Sequence, residues 1–349
     1  MNDYILVINP GSTSTKIAVF DGKRELFRKN LKLSDSQLDL PLFPDQYKIR
    51  KNQILDTLKE NDILPRELRA VAARGGRLKP LASGVYRVNE RMVEDALKGL
   101  QGVHASNTAV VIAKDLEMEF GVPGFTVDPI SVDEMEDWAR ITGIRKINRN
   151  SLSHALNMKA VAKKTQNILR KRYEDLRLIV AHLGGGSSIS AHFNGRMVDL
   201  YNSDKEGPFS VERAGALPTH ELSRFSEEND DYMDVLTHKG GLYSHFNTRD
   251  VQKIVEMAEN NDPEATTVLE AYVYNIAKYM FSFLAVFDGV IDAFIITGGV
   301  IKSEYIKKRL EKKLGNRFRI ICFPGEFEME TLVAGVDDVL NDKIIAKEY

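Results

Sequence analysis

Tyr4-Ile-Leu-Val-Ile-Asn-Pro-Gly-Ser-Thr-Ser-Thr-Lys-Ile-Ala-Val-Phe-Asp-Gly22 returns, degraded but ungapped, as Leu178-Ile-Val-Ala-His-Leu-Gly-Gly-Gly-Ser-Ser-Ile-Ser-Ala-His-Phe-Asn-Gly195. Gly11 meets Gly184, Ser14 meets Ser187, Ala18 meets Ala191 and Gly22 meets Gly195, an offset of 173 in a chain of 349 residues. Each copy reads as an apolar strand, a Gly/Ser turn, an alternating strand and a second turn. A hairpin repeated at half the chain length predicts two similar domains facing each other. A Gly/Ser turn rich in free N–H and O–H groups is a phosphate cradle, and two cradles facing one cleft predict a phosphate chain held between domains. The first turn is followed by Lys16, but it is not a P-loop. That motif leads into a helix, whereas Ile17-Ala-Val-Phe20 is β-branched and apolar and reads as a second strand.

The composition is that of an ordinary soluble globular chain, 43% apolar and 28% charged. The net charge is −2, and no basic block marks a nucleic-acid or anionic-membrane surface. Anionic substrates must therefore be held by local groups, not by a global field. The single cysteine, Cys322, allows no internal disulfide, which fits a reducing cytoplasm. It lies in the strand-like run Phe318-Arg-Ile-Ile-Cys-Phe323 and reads as a small buried hydrophobe, not a nucleophile. No signal-peptide pattern opens the sequence. The longest apolar run, Met280-Phe-Ser-Phe-Leu-Ala-Val-Phe287, is too short to span a bilayer.

Strands alternating with helices after each hairpin predict an α/β chain of two domains with mixed sheets and flanking helices. Residues 1–152 with about 331–349 are expected to form the first domain, and 153–330 the second. Polar groups at predicted strand ends, where α/β sheets usually bind ligands, supply the candidates for chemistry. Arg74 precedes Gly75-Gly76 and reads as a carboxylate or phosphate fork or as a surface ion-pair residue. Arg213, in a glycine-flanked loop, is placed to neutralise a moving phosphoryl group or to bridge loop and helix. Asp128-Pro129 ends a strand, where the carboxylate holds Mg²⁺, orients a substrate group or forms an Asx turn. His104 and His154 precede helices, where a ring can donate to a phosphoryl oxygen or serve structure alone. Ser106-Asn107 reads as a helix cap. His182 stands opposite Asn9 in the repeat. Glu326, Glu328 and Glu330 surround the start of the last helix, where a carboxylate reaches a metal or complements the helix dipole. Gly298-Gly299 follows a buried strand and leaves room for a flat adenine or ribose. No zinc-ligand spacing and no Gly-x-Ser-x-Gly elbow occurs.

Taken in order, Asn9-Pro-Gly-Ser-Thr-Ser-Thr-Lys16, Arg74-Gly-Gly76, His104-Ala-Ser-Asn107, Asp128-Pro129, Asp133-Glu-Met-Glu-Asp137, His154-Ala-Leu-Asn157, His182-Leu-Gly-Gly-Gly-Ser-Ser188, Glu212-Arg213 and Thr297-Gly-Gly299 resemble the butyrate kinases of the acetokinase family. The resemblance covers nearly the whole chain. It implies two ribonuclease-H-like domains around an ATP cleft, a fold shared with sugar kinases, actin and heat-shock chaperone ATPases. It implies phosphorylation of butanoate by ATP with Mg²⁺, or of another short acid such as acetate, propionate or isobutyrate, and assembly as a dimer or multiple of dimers. The rival from another class is an actin- or chaperone-like ATPase without kinase activity. The resemblance assigns the first phosphate loop to Asn9, Ser12, Ser14 and Lys16, and the second to His182, Gly184, Gly185, Gly186 and Ser187. Thr297, Gly298 and Gly299 fall to the adenosine. Arg213 becomes the transition-state arginine and Asp128 the strand-end aspartate. His154 becomes the active-site histidine. Arg74 takes the substrate carboxylate, by type and place. Glu328 with Asn9 takes Mg²⁺, with Glu330 as the alternative glutamate.

Overall fold

The structure, a computed structural model, describes residues 3–202 and 204–349. By density of internal contacts the chain divides into a unit running to Asp133 and completed by Phe327–Tyr349, and a second unit, Glu134–Glu326.

Apolar strands of the first unit stack as a six-stranded sheet. Its members are β1 (Tyr4–Pro10), β2 (Ser14–Asp21), β3 (Arg24–Lys32), β4 (Leu68–Ala73), β5 (Val85–Arg87) and β6 (Gly124–Val127), in the order β3-β2-β1-β4-β6-β5. β1–β2–β3 form an antiparallel meander, β4 and β6 add parallel to β1, and β5 closes one edge antiparallel. The second unit carries β7 (Leu178–Leu183), β8 (Ser187–Phe193), β9 (Arg196–Tyr201), β10 (Ala293–Gly298) and β11 (Ile320–Pro324), in the order β11-β10-β7-β8-β9. Its β7–β8–β9 meander is again antiparallel, and β10 and β11 are again parallel. Leaving out β5, the two sheets have one topology, as the repeat predicts.

The third strand of the first meander carries no apolar signal strong enough to read ahead. β3 is Arg-Glu-Leu-Phe-Arg-Lys-Asn-Leu-Lys, exposed along most of its length. Charged side chains suit an edge strand because they discourage pairing with other chains, and they also hide it from a pattern search. Glu134–Asn150, grouped from sequence with the first domain, is tied to the second unit. The Glu136 N–H donates to Val198 O, and Arg149 bonds Asp199, Glu206 and Ala139 O.

The helix Glu328–Leu340 buries Met329, Leu332, Val333 and Val336 and packs against β1, β4 and β6. In the second unit the helices Pro263–Ser282 and Glu304–Leu314 share one apolar core with β7, β8 and β10. At roughly 25 cal/mol per Å² of apolar surface removed from water, such faces supply most of the drive to fold.

Candidate active site

The two repeated turns differ by one residue. Pro10 pairs with Thr15 across the first, but Leu183 pairs with Ser187 across the second. The Gly11 N–H donates to Ser14 O, and the Gly184 N–H to Gly186 O. The ungapped alignment therefore holds along the first strand, where His182 occupies the place of Asn9, and slips by one after the turn. Ser187 takes the place of Thr15, not of Ser14, and both are buried.

Each turn aims its carbonyls into the protein. In the first, Ser12 O accepts from Arg50, Thr13 O from the Leu33 N–H, and Ser14 O from Arg50 and the Gly11 N–H. The N–H groups of Ser12 and Thr13, both exposed, have no protein acceptor among the described residues. In the second, Gly185 O accepts from Ser210 Oγ and the Glu212 N–H, and Gly186 O from the Gly184 N–H. Unpaired amides on a tight turn form an anion-binding concavity.

Arg213 lies against the second turn. A Cβ on Gly186 would fall 2.5 Å from its Nη1 and 2.6 Å from its Cζ. The glycine is required here for space, not for its backbone angle. The guanidinium pairs with Asp204 at 2.6 Å, and the Arg213 N–H donates to Ser210 Oγ. Beside this turn the rings of His154 and His182 stack, with centroids 4.0 Å apart and planes 8° from parallel. His154 Nδ1 is 2.9 Å from Ser188 Oγ, and His182 Nδ1 is 2.9 Å from Asn157 Nδ2. An amide nitrogen only donates, so this bond makes His182 Nδ1 the acceptor and places any ring proton on Nε2. Asn157 also donates to Thr297 Oγ1, which donates to Gly325 O.

A cavity of about 600 Å³ opens in the same unit between Gly184-Gly185, Glu212, Arg249, Gly299 and Ser303, within the size range of small-molecule sites. Gly299 borders it with open space where a Cβ would be, while a Cβ on Gly298 would strike the Leu183 backbone at 2.2 Å. Only the second glycine of the pair thus borders the cavity. The first, at φ +102°, lets β10 pass close to β7.

In the first unit, buried Asn9 and Glu328 meet at the end of β1. Asn9 Nδ2 donates to Glu328 Oε2 at 2.7 Å, Arg74 pairs with Glu328 Oε1 at 3.1 Å, and Arg74 Nη1 donates to Asn9 Oδ1 at 3.3 Å. Lys16 is the cross-strand partner of Asn9. Glu330 instead pairs with Arg28 on the exposed surface.

Residues 134–316 match the acetokinase family model. Over 99% of both chains the sequence is 41% identical to butyrate kinase 1 of Clostridium acetobutylicum. The chain belongs to the acetokinase family. Among solved structures, a propionate kinase from Francisella tularensis matches at 19% identity and TM-score 0.79, over 95% of this chain and 98% of that one. The acetate kinase of Porphyromonas gingivalis matches at 19% and 0.78, over 97% and 100%. At that identity they establish the fold, two mixed-sheet α/β domains of the duplicated ribonuclease-H-like kind.

Other residues of this acetokinase chain are accounted for locally. Asp128, at φ +39°, accepts from Ser83 Oγ and the Gly84 N–H through Oδ1, and its Oδ2 has no protein donor among the described residues. The expected cap at Ser106 is absent. Its Oγ bonds His104 Nδ1 at 2.6 Å instead of the helix, and Asn107 Oδ1 accepts from the Arg77 N–H. A Cβ on Gly75 or Gly76 would collide with Pro129 or Asn107, so these glycines serve protein packing. Burial and the neighbouring Glu311 carboxylate push the Cys322 thiol up to about 12, leaving it inert at neutral pH. The sequence offered no signal for Arg50, Asp204 or Arg249, which are held to the site only by tertiary structure. Asn157, three residues into a motif that opens on His154, was within reach of one.

Proposed function

We propose that the chain is an ATP-dependent butyrate kinase, converting butanoate and ATP to butanoyl phosphate and ADP, and running in reverse when the acyl phosphate is supplied. The observation that carries this reading is the full-length 41% identity to a butyrate kinase. An arginine laid on the glycine turn supports phosphoryl transfer as the chemistry. A carboxylate is already nucleophilic, so the protein needs donors and charge in place more than a general base. Arg74 grips the substrate carboxylate bidentately. The cavity beside Gly299 takes the adenosine, and the amides of the two turns take phosphate oxygens. Arg213 neutralises charge as it spreads over the transferred group, with His154 and His182 as further donors. Asp128 orients the reacting groups through its unengaged oxygen.

Among the described residues no three acidic, histidine or cysteine side chains cluster to cage a metal. Glu328 and Asn9 would hold Mg²⁺ with the Arg74 guanidinium turned from Glu328 Oε1 and Asn9 Oδ1 toward the acid; the ion favours one or two carboxylates with waters and substrate phosphates over an all-protein cage. When bound there, the ion would neutralise phosphate charge. Among the described residues no helix is long and apolar enough to cross a membrane. A cytoplasmic location and a dimer or multiple of dimers belong to the same proposal.

Trapping acyl phosphate as the hydroxamate, with ATP and straight and branched acids of two to six carbons, tests the reading. Turnover highest on butanoate is expected. ADP release without any hydroxamate would favour a plain ATPase of this fold. One methylene changes binding by only about 1–3 kcal/mol, so propanoate and isobutanoate should turn over as well.

A further inference from the structure

Arg50 is among the largest fully buried side chains of the described structure. It lies on the helix Tyr47–Glu60 and reaches the back of the first turn. Its Nη1 donates to Ser14 O at 3.0 Å and Thr15 Oγ1 at 2.8 Å, and its Nη2 to Ser12 O at 3.1 Å and Gln46 Oε1 at 3.4 Å. None of these partners is charged, and Nε has no acceptor. Burial alone pulls the guanidinium down to about 10, with no acidic side chain acting on it, so it stays cationic at neutral pH. A buried cation is costly unless it is paired, and this one is met only by the dipoles of the turn and of Gln46.

The second unit holds its turn differently. There Ser210 Oγ and the Glu212 N–H, both neutral, take Gly185 O, and the cation Arg213 lies on the turn itself. In the first unit one residue supplies both the grip on the carbonyls and a positive charge. We infer that Arg50 is a positioning residue of the first phosphate turn, fixing the Ser12 and Ser14 carbonyls inward so that the Thr13 N–H, across the planar peptide from Ser12 O, points out, and biasing the turn toward the phosphoryl group being transferred.

The inference rests on the kinase reading, with the adenosine in the second unit and the acid in the first. Arg50 should then matter for ligands that carry the transferable phosphoryl group and not for ADP. Calorimetric titration of the whole protein in Mg²⁺ buffer with ATP, and separately with ADP, tests this. A wild-type protein that binds neither nucleotide would sink the kinase reading itself. Given wild-type binding, Arg50→Met should weaken ATP about tenfold or more and leave ADP within twofold. Arg50→Lys, which keeps the charge but not the fork, should fall between. In turnover, KM for butanoyl phosphate should rise while KM for butanoate holds. If both Arg50 variants fail to fold, Thr15→Val decides, since it removes one acceptor of the guanidinium and should weaken ATP a few-fold more than ADP. Parallel weakening of ATP and ADP, or no change in either, would reduce Arg50 to a strut and overturn the inference.

Discussion

Gly186→Ala makes the sharpest test of the second turn. The added methyl carbon would lie 2.5 Å from Arg213 Nη1 and 2.6 Å from Cζ. Ordinary contact begins near 3.4 Å, so the guanidinium must withdraw by about 1 Å, and its 2.6 Å pair with Asp204 must turn or stretch with it. The obstacle is the end of a flexible side chain, not backbone, and Gly186 has no left-handed φ, so the fold should survive. Misplacing a catalytic group by 1 Å can cost about 10²-fold, and removing an arginine that serves the transition state about 10³-fold or more. Gly186→Ala should therefore lower kcat by about 10² in the hydroxamate assay, with nucleotide affinity and thermal midpoint nearly unchanged. Arg213→Ala should lower it by about 10³, and the double variant should be no worse than Arg213→Ala, because the glycine acts only through the arginine. A Gly186→Ala enzyme with wild-type kcat would mean that the guanidinium does not work from this position.

Two further outcomes are expected. Arg74→Ala should raise KM for butanoate about tenfold to a hundredfold, the loss of a charge-assisted bidentate contact, with KM for ATP little changed; steady-state kinetics in both substrates would expose the reverse pattern, which would move Arg74 to the nucleotide. His192 is buried between the Tyr173 hydroxyl and Ser190 Oγ, and burial, aided by the Lys159 charge, holds its pKa well below the ordinary 6.5. The unfolded chain then binds a proton that the native one refuses, so stability should fall by about 1.4 kcal/mol per pH unit below about 6.5; urea unfolding at several pH values should show this slope, flattened in His192→Gln.

Much of this arrangement was legible in sequence because duplication doubles a weak signal. One Gly/Ser turn means little, but a second at a fixed offset gave both hairpins, and buried runs such as Leu68–Ala73 and Gly124–Val127 read directly as strands. The one-residue slip between the turns did not, since an ungapped alignment carries no pairing register. β3 was missed because its charges suit an exposed edge. Only the family resemblance favoured Glu328 over Glu330. Side-chain geometry separates them, one buried on Asn9 and Arg74, the other paired with Arg28 in the open. Arg50 sits in an unremarkable charged helix, and only the fold carries it under Ser12.

The helix Glu328–Leu340 follows the second unit in the chain but belongs to the first. During synthesis the second unit has all its strands before the ribosome reaches Glu328, and domains tend to fold as units in the order they emerge. The β1–β4–β6 face must wait for Leu332, Val333 and Val336 to cover it. The same late helix delivers Glu328 to Asn9 and Arg74. A nascent chain can thus complete its proposed nucleotide half first, while its proposed acid and Mg²⁺ residues still lack Glu328, and a truncation that loses this helix should yield a protein that is at once aggregation-prone and catalytically silent.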